Sequence, residues 1–153
     1  MCTLPYLRLQ TVPLPYPHPT SEAVSGRMRA NRRRDTRPEV ALRSQLHRLG
    51  MRFRKDLPLR LVDRVVRPDV VFTRARLAVF VDGCFWHRCP EHGNVPRANG
   101  DYWGPKLARN VARDRAVDQA LAAAGWRVMR AWEHEDSAAV ARAVAAELRS
   151  LPA

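Results

Sequence analysis

Apolar positions along the 153-residue chain change period several times, and each change marks an element. Leu42, Leu46 and Leu49 recur at helical spacing behind Thr36-Arg37-Pro38-Glu39. Thr36 is the expected N-cap, Pro38 belongs in the first turn, Glu39 completes a capping box, and Gly50 stops the helix. Short β-like runs follow at 52–55, 63–66, 69–72 and 77–81. The last is apolar throughout, as a strand covered on both faces should be. Residues 83–99 lose all periodicity and are rich in Cys, His and Pro. Pro105 then opens a second long helix that runs to Ala124 and stops at Gly125, and 126–132 reads as another strand. Ser137 caps a final amphipathic helix with Val140, Val144 and Leu148 inside. This order predicts an α/β (α+β) fold, a small mixed β-sheet flanked by helices. No internal repeat is visible.

Composition narrows the class. A chain of this length supports one domain with one real core. Residues 1–19 hold Pro5, Pro13, Pro15, Pro17 and Pro19 without apolar periodicity, so they read as a disordered leader or an upstream start, leaving 20–153 as the domain. No apolar run approaches the roughly 20 residues that span a bilayer, and the start lacks the pattern of a secretory signal. The expected location is the cytoplasm, at the nucleoid. Lys and Arg number 27 against 15 acids, giving a net charge of +12. Such a field draws polyanions, and nucleic acid is the leading partner. Arg27, Arg29 and Arg33 fall in an arginine-rich stretch before Pro38. It is either an arm lying on DNA phosphate or a solvated basic surface.

Three groups of residues carry candidate chemistry. Pro68-Asp69 heads one strand, and Val81-Asp82 ends the next. A carboxylate where adjacent strands meet is how many nucleases hold Mg²⁺, a hard ion that steadies phosphate charge and activates water; alone, Pro-Asp also fits a turn. Gly83-Cys84-Phe85-Trp86-His87 follows directly. Two large aromatics in a polar loop suit a wedge that unstacks bases, and His87 suits a general base at neutral pH. The plain alternative is a loop plugged by two aromatics. Cys84, Cys89 and His92 share that loop, and His134 follows the late strand. Two thiolates and two imidazoles match tetrahedral zinc; free cysteines and surface histidines are the other reading.

The order of these motifs resembles the very-short-patch repair (Vsr) DNA mismatch endonucleases. The resemblance rests on Asp35-Thr36-Arg37-Pro38-Glu39, Arg67-Pro68-Asp69 and Phe80-Val81-Asp82-Gly83-Cys84-Phe85-Trp86-His87. Tyr102-Trp103 with Lys106, Asn110, Arg113 and Asp114, and Gly125-Trp126-Arg127-Val128 before Trp132-Glu133, extend it over about 21–135. It implies a restriction-endonuclease-like core with an added zinc site, and an enzyme that nicks DNA 5′ to the thymine of T·G mismatches left by deaminated 5-methylcytosine. Carried over by position, it implies Mg²⁺ on Asp69 and the Val81 carbonyl, with Glu39 approaching through water and His87 as general base. Zinc would fall on Cys84, Cys89, His92 and His134. Phe85, Trp86 and Trp103 would form the wedge, with Lys106 and the arginine arm on DNA.

Two departures stand out. The strand ending near Val81 lacks the second acid and the lysine usual in related nucleases. Asp82 stands where some relatives have a histidine; it either adds a carboxylate ligand or alters substrate choice. The expected partner is double-stranded DNA with a T·G mismatch, possible further partners are general mismatch-repair proteins, no membrane is involved, and the chain is expected to act as a monomer. Two rival readings stay open: a non-catalytic zinc-containing DNA-binding module, and a restriction-like nuclease with another DNA target.

Overall fold

A computed structural model describes residues 34–93 and 99–150. The expected leader and Arg27, Arg29 and Arg33 lie outside the described residues. The elements run α1 (Arg37–Arg48), β1 (Leu59–Arg60), β2 (Val65–Val66), β3 (Val70–Phe72), β4 (Leu77–Asp82), α2 (Gly100–Ala123), β5 (Arg127–Trp132) and α3 (Ser137–Arg149). The fold is mixed α+β.

The main sheet has the order β3-β4-β5. β3 runs antiparallel to β4, with Val70 opposite Val79 and Phe72 opposite Leu77. β4 runs parallel to β5, from Leu77 opposite Arg127 to Asp82 opposite Trp132. A parallel pair needs a long crossover, and α2 provides it. Strand side chains alternate between faces, so the apolar run of β4 serves two cores. Leu77 and Val79 pack with Val70, Phe72 and Ala131 against Leu42 and Leu46 of α1 and Val140, Ala141 and Val144 of α3. Ala78 packs on the other side with Val71 and Leu121, and with Leu59 and Val66 of the small β1-β2 hairpin. Helices on both faces account for the unbroken hydrophobicity of this strand.

Several expected details shift. Residues 52–55 form no strand; Arg54 makes a single bridge to Val71. Leu59–Arg60 forms β1 instead, a two-residue strand just after Pro58, too short for any periodicity to show. α2 starts at Gly100, with Pro105 inside it. Proline at the sixth position removes one backbone bond, and burial of Trp103 and Leu107 on the helix outweighs that loss. Thr36 has the backbone of an N-cap without a side-chain cap bond. Its hydroxyl donates to Glu39 Oε1 at 2.8 Å, so no capping box forms. The cap of α3 is Asp136, whose carboxylate accepts from the backbone of Ala138 and Ala139; Ser137 is the first helical residue. Leu49 is exposed at the end of α1 rather than buried. Gly50 follows at φ +73° and lets the chain reverse, so that Met51 N–H reaches the Leu46 carbonyl.

Candidate active site and metal centre

The carboxyl ends of β4 and β5 and the start of β3 meet at one end of the sheet, and the chemistry gathers there. Fully buried Pro68 leads the chain into β3. Asp69 Oδ2 accepts the Val81 N–H at 2.7 Å, which fastens the carboxylate to β4. Burial pushes Asp69 up to about 7, against that backbone hydrogen bond, and the charges of Glu39, Asp82 and Asp56 push the same way. Glu39, buried in the first turn of α1, is held by Thr36 and by Arg43 at 3.5 Å. Arg43 also meets Asp35 at 2.5 Å. Asp69 thus sits in a poorly solvated corner where the charges of Glu39 and Asp82 reach it, and its hard carboxylate oxygen is of the type that suits a small divalent cation.

One residue past Val81, Asp82 is buried and faces α2 and β5. Arg130 Nη1 lies 2.9 Å from both Asp82 oxygens. The Nε and Nη2 of the same guanidinium clasp Asp118 at 2.8–3.1 Å. Burial pushes the Asp82 carboxyl up, opposed by Arg130 and then His87. The loop after β4 turns back sharply, with His87 N–H bonded to the Gly83 carbonyl and Cys89 N–H to the Cys84 carbonyl. That turn puts His87 Nδ1 2.5 Å from Asp114 Oδ2 of α2 and 3.8 Å from Asp82 Oδ1. With Nδ1–H given to Asp114, Nε2 is left as the acceptor, the state a general base needs.

The Cys/His quartet lies on the other side of this loop. One ligand atom from each of Cys84, Cys89, His92 and His134 falls within 4.8 Å of all the others. Cys84 Sγ is 3.0 Å and Cys89 Sγ 3.7 Å from His134 Nδ1, and Cys89 Sγ is 3.9 Å from His92 Nδ1. Ligands about 2.0–2.3 Å from one tetrahedral zinc lie at such separations, so the residues fit the ion. His134 Nε2 points to Glu91 at 3.5 Å, a carboxylate in the usual place behind a ligating imidazole. Glu133 Oε1 accepts the Cys84 N–H at 2.7 Å and ties the loop to the end of β5. Burial pushes the Cys84 thiol up to about 11, with the neighbouring Cys89 adding to it. A cation bound among these ligands would draw off the thiol protons and hold both sulfurs as thiolates.

Phe85 and Trp86 meet Trp103 of α2 edge-on, with ring centroids 5.4 and 6.0 Å away. Lys106 stands over the rings of Trp86 and Trp103 at 5.8 and 5.1 Å and donates to the Tyr102 hydroxyl at 3.0 Å. Phe85 and Trp86 stay part-exposed, while Trp103 is buried beneath them. Asn110, one turn along α2, donates to the Trp86 carbonyl at 3.2 Å.

The structure therefore brings Asp69, Val81, Asp82 and His87 into one chain of contacts. It gathers the four Cys/His candidates and joins the three aromatics with Lys106. A separate cleft of about 340 Å³ opens on the α1–α3 side, lined by Arg37, Leu42, Val81, Ala131, Glu133 and Val140. It carries neither Asp69 nor His87. Sequence reasoning gave no role to Asp114, Arg130, Asp118 or Glu133. Asp114 left a trace, since Trp103, Lys106, Asn110 and Asp114 recur at three- and four-residue spacing on one helix face. Arg130 left none, because its partners come from β4 and α2.

A buried acid fastened to β4 and an imidazole held by a carboxylate, in a chain of net charge +12, are compatible with a hydrolytic enzyme acting on nucleic acid. Comparison with known proteins gives the same class. The family profile described as DNA mismatch endonuclease Vsr matches residues 19–91. Type II nicking enzyme V.NaeI of Lentzea aerocolonigenes is 60% identical over 122 residues, covering 79% of this chain and 74% of that protein. Type II nicking enzyme V.XorIIP of Xanthomonas oryzae pv. oryzae is 48% identical, over 71% of this chain and 77% of its own length. DNA mismatch endonuclease Vsr of Escherichia coli is 39% identical, over 71% and 68%. The chain belongs to the Vsr family of DNA mismatch endonucleases. Among the described residues, no helix is long and apolar enough to cross a membrane.

Proposed function

We propose that this endonuclease acts at T·G mismatches, nicking one strand 5′ to the thymine in very-short-patch repair of deaminated 5-methylcytosine. The observation that carries the reading is the His87–Asp114 contact of 2.5 Å, set beside Asp82 and the Asp69–Val81 hydrogen bond. The three-stranded sheet between helices, with an acid at the start of β3, fits a restriction-endonuclease-like core.

Asp69 and the Val81 carbonyl would hold Mg²⁺, with Glu39 reaching it through water. When bound, the ion supplies positive charge at the phosphate and the leaving oxygen. Asp114 fixes the His87 ring so that Nε2 takes a proton from the attacking water. Zinc on Cys84, Cys89, His92 and His134 would fasten the catalytic loop to the end of β5. Phe85 and Trp86, backed by Trp103 and Lys106, present flat faces that insert beside the mispaired bases. A mismatched step costs less to unstack, which is one source of selectivity. The positive charge of Arg27, Arg29 and Arg33 would add to the attraction for phosphate. One nick needs one site, so the chain acts as a monomer.

His87→Ala is expected to lower single-turnover nicking of a T·G duplex by about 10²- to 10⁴-fold with DNA affinity retained. A rate within a few-fold of the parent would remove His87 as the base. The relatives named as nicking enzymes favour single-strand cutting over a binding-only module.

A further inference from the structure

His87 Nδ1 has two carboxylates within reach and one hydrogen to give. Asp114 lies at 2.5 Å and Asp82 at 3.8 Å. What separates them is Arg130. Its Nη1 sits 2.9 Å from both oxygens of Asp82, its other nitrogens hold Asp118, and the Phe80 ring supports it with Cζ 4.5 Å from the centroid. Phe80 lies directly opposite Arg130 in the β4–β5 register, which places the guanidinium over its ring with the fork filled by Asp82 and Asp118. Asp82 is buried, and a buried carboxylate without a partner turns to the nearest donor or cation. Here the nearest donor is the His87 ring at 3.8 Å, and a cation held at Asp69 would stand within electrostatic reach of Asp82.

We propose that Arg130 is a positioning residue: by holding Asp82 against β5, it reserves the His87 Nδ1–H for Asp114 and keeps Asp82 out of the divalent-cation ligands. The inference deepens the proposed role of His87 and rests on it. Two carboxylates competing for Nδ1 would swing the ring and re-aim Nε2. One guanidinium settles the competition. Arg130 touches no reacting atom; it acts through Asp82 on the ring.

The test uses the full-length, zinc-loaded protein labelled with ¹⁵N at histidine, with the His87 ring signals identified by their loss in His87→Gln. Arg130→Met is expected to move the His87 Nδ1 resonance. It is expected to slow single-turnover nicking roughly 10- to 100-fold, as loss of an outer-shell partner does, with half-saturating DNA within about twofold of the parent. Arg130→Lys keeps the charge and loses the fork, and is expected to move the same resonance less and to slow nicking less. It carries the test if the methionine variant fails to fold. Asp118→Asn breaks only the outer ion pair and leaves an oxygen for the guanidinium. It is expected to keep the ring signals and to stay within about threefold of the parent rate. A ring signal unmoved in the Arg130 variants, or equal damage from Asp118→Asn, would overturn the proposal and leave Arg130 a mere strap between β5 and α2. Failure of the general-base reading shows separately, as normal nicking by His87→Ala alongside a shifted ring in Arg130→Met.

Discussion

Asp69→Ala is expected to abolish nicking, with a loss of about 10³-fold or more, while the protein still binds T·G duplex. Charge stabilisation by a divalent ion is worth several kcal/mol, and each 1.36 kcal/mol is tenfold in rate. The carboxylate is fastened to β4 at the Val81 N–H, and the charges of Glu39 and Asp82 bear on it. Its removal takes away the anchor for a cation and also relieves a stressed group. That second effect has a signature in pH. Asp69 titrates at about 7 in the folded chain against an ordinary 3.8. Between those values the folded protein binds more protons than the unfolded one. In a chelator, the contribution of this group is therefore fully present below 3.8 and lost as pH rises through about 7. Melting curves at pH 5 and pH 8 should show the parent losing more stability with rising pH than Asp69→Ala. Equal slopes, or substantial nicking by the variant, would contradict the assignment.

Removing one of the proposed zinc ligands is expected to have the other large effect. Cys89 is buried in the loop without helix or strand that follows β4. With the ion in place, this loop fixes His87, Phe85 and Trp86 at once. Cys89→Ala is expected to release the metal and to lower the melting temperature by roughly 10 °C, because metal binding is folding free energy for such a site. Nicking should fall with it. Elemental analysis of parent and variant, paired with melting curves, checks both parts. A parent without zinc, or a variant that melts normally, would refute the four-ligand assignment.

How much of this was legible in the sequence depended on where each residue's partners lie. α1, β4 and α3 announce themselves because their buried positions repeat within the element: Leu42 and Leu46, Leu77 to Val81, Val140 and Val144. The start of α2 is hidden, since Pro105 reads as a beginning when the helix already runs from Gly100. β1 is hidden by its two-residue length. In the site, Cys84, Cys89 and His92 sit close in sequence, so only His134 had to be brought in by the fold. Asp69, Asp82 and His87 each stood out by type and place. Their neighbours did not, because Asp114 and Arg130 gain meaning only when α2 and β5 close over the end of β4. Helix and strand periods report on burial, whereas a charge pair across three elements has no period at all.

The most direct test of the whole reading is strand-resolved cutting of end-labelled duplexes that differ at one base pair. With Mg²⁺ present, the parent protein is expected to cut the T·G duplex once, on the thymine strand immediately 5′ to the mispaired T. Matched T·A and C·G duplexes should stay intact, and chelator should stop the reaction. Tight binding of the mismatch with no cut, or equal cutting of the matched duplexes, would contradict it.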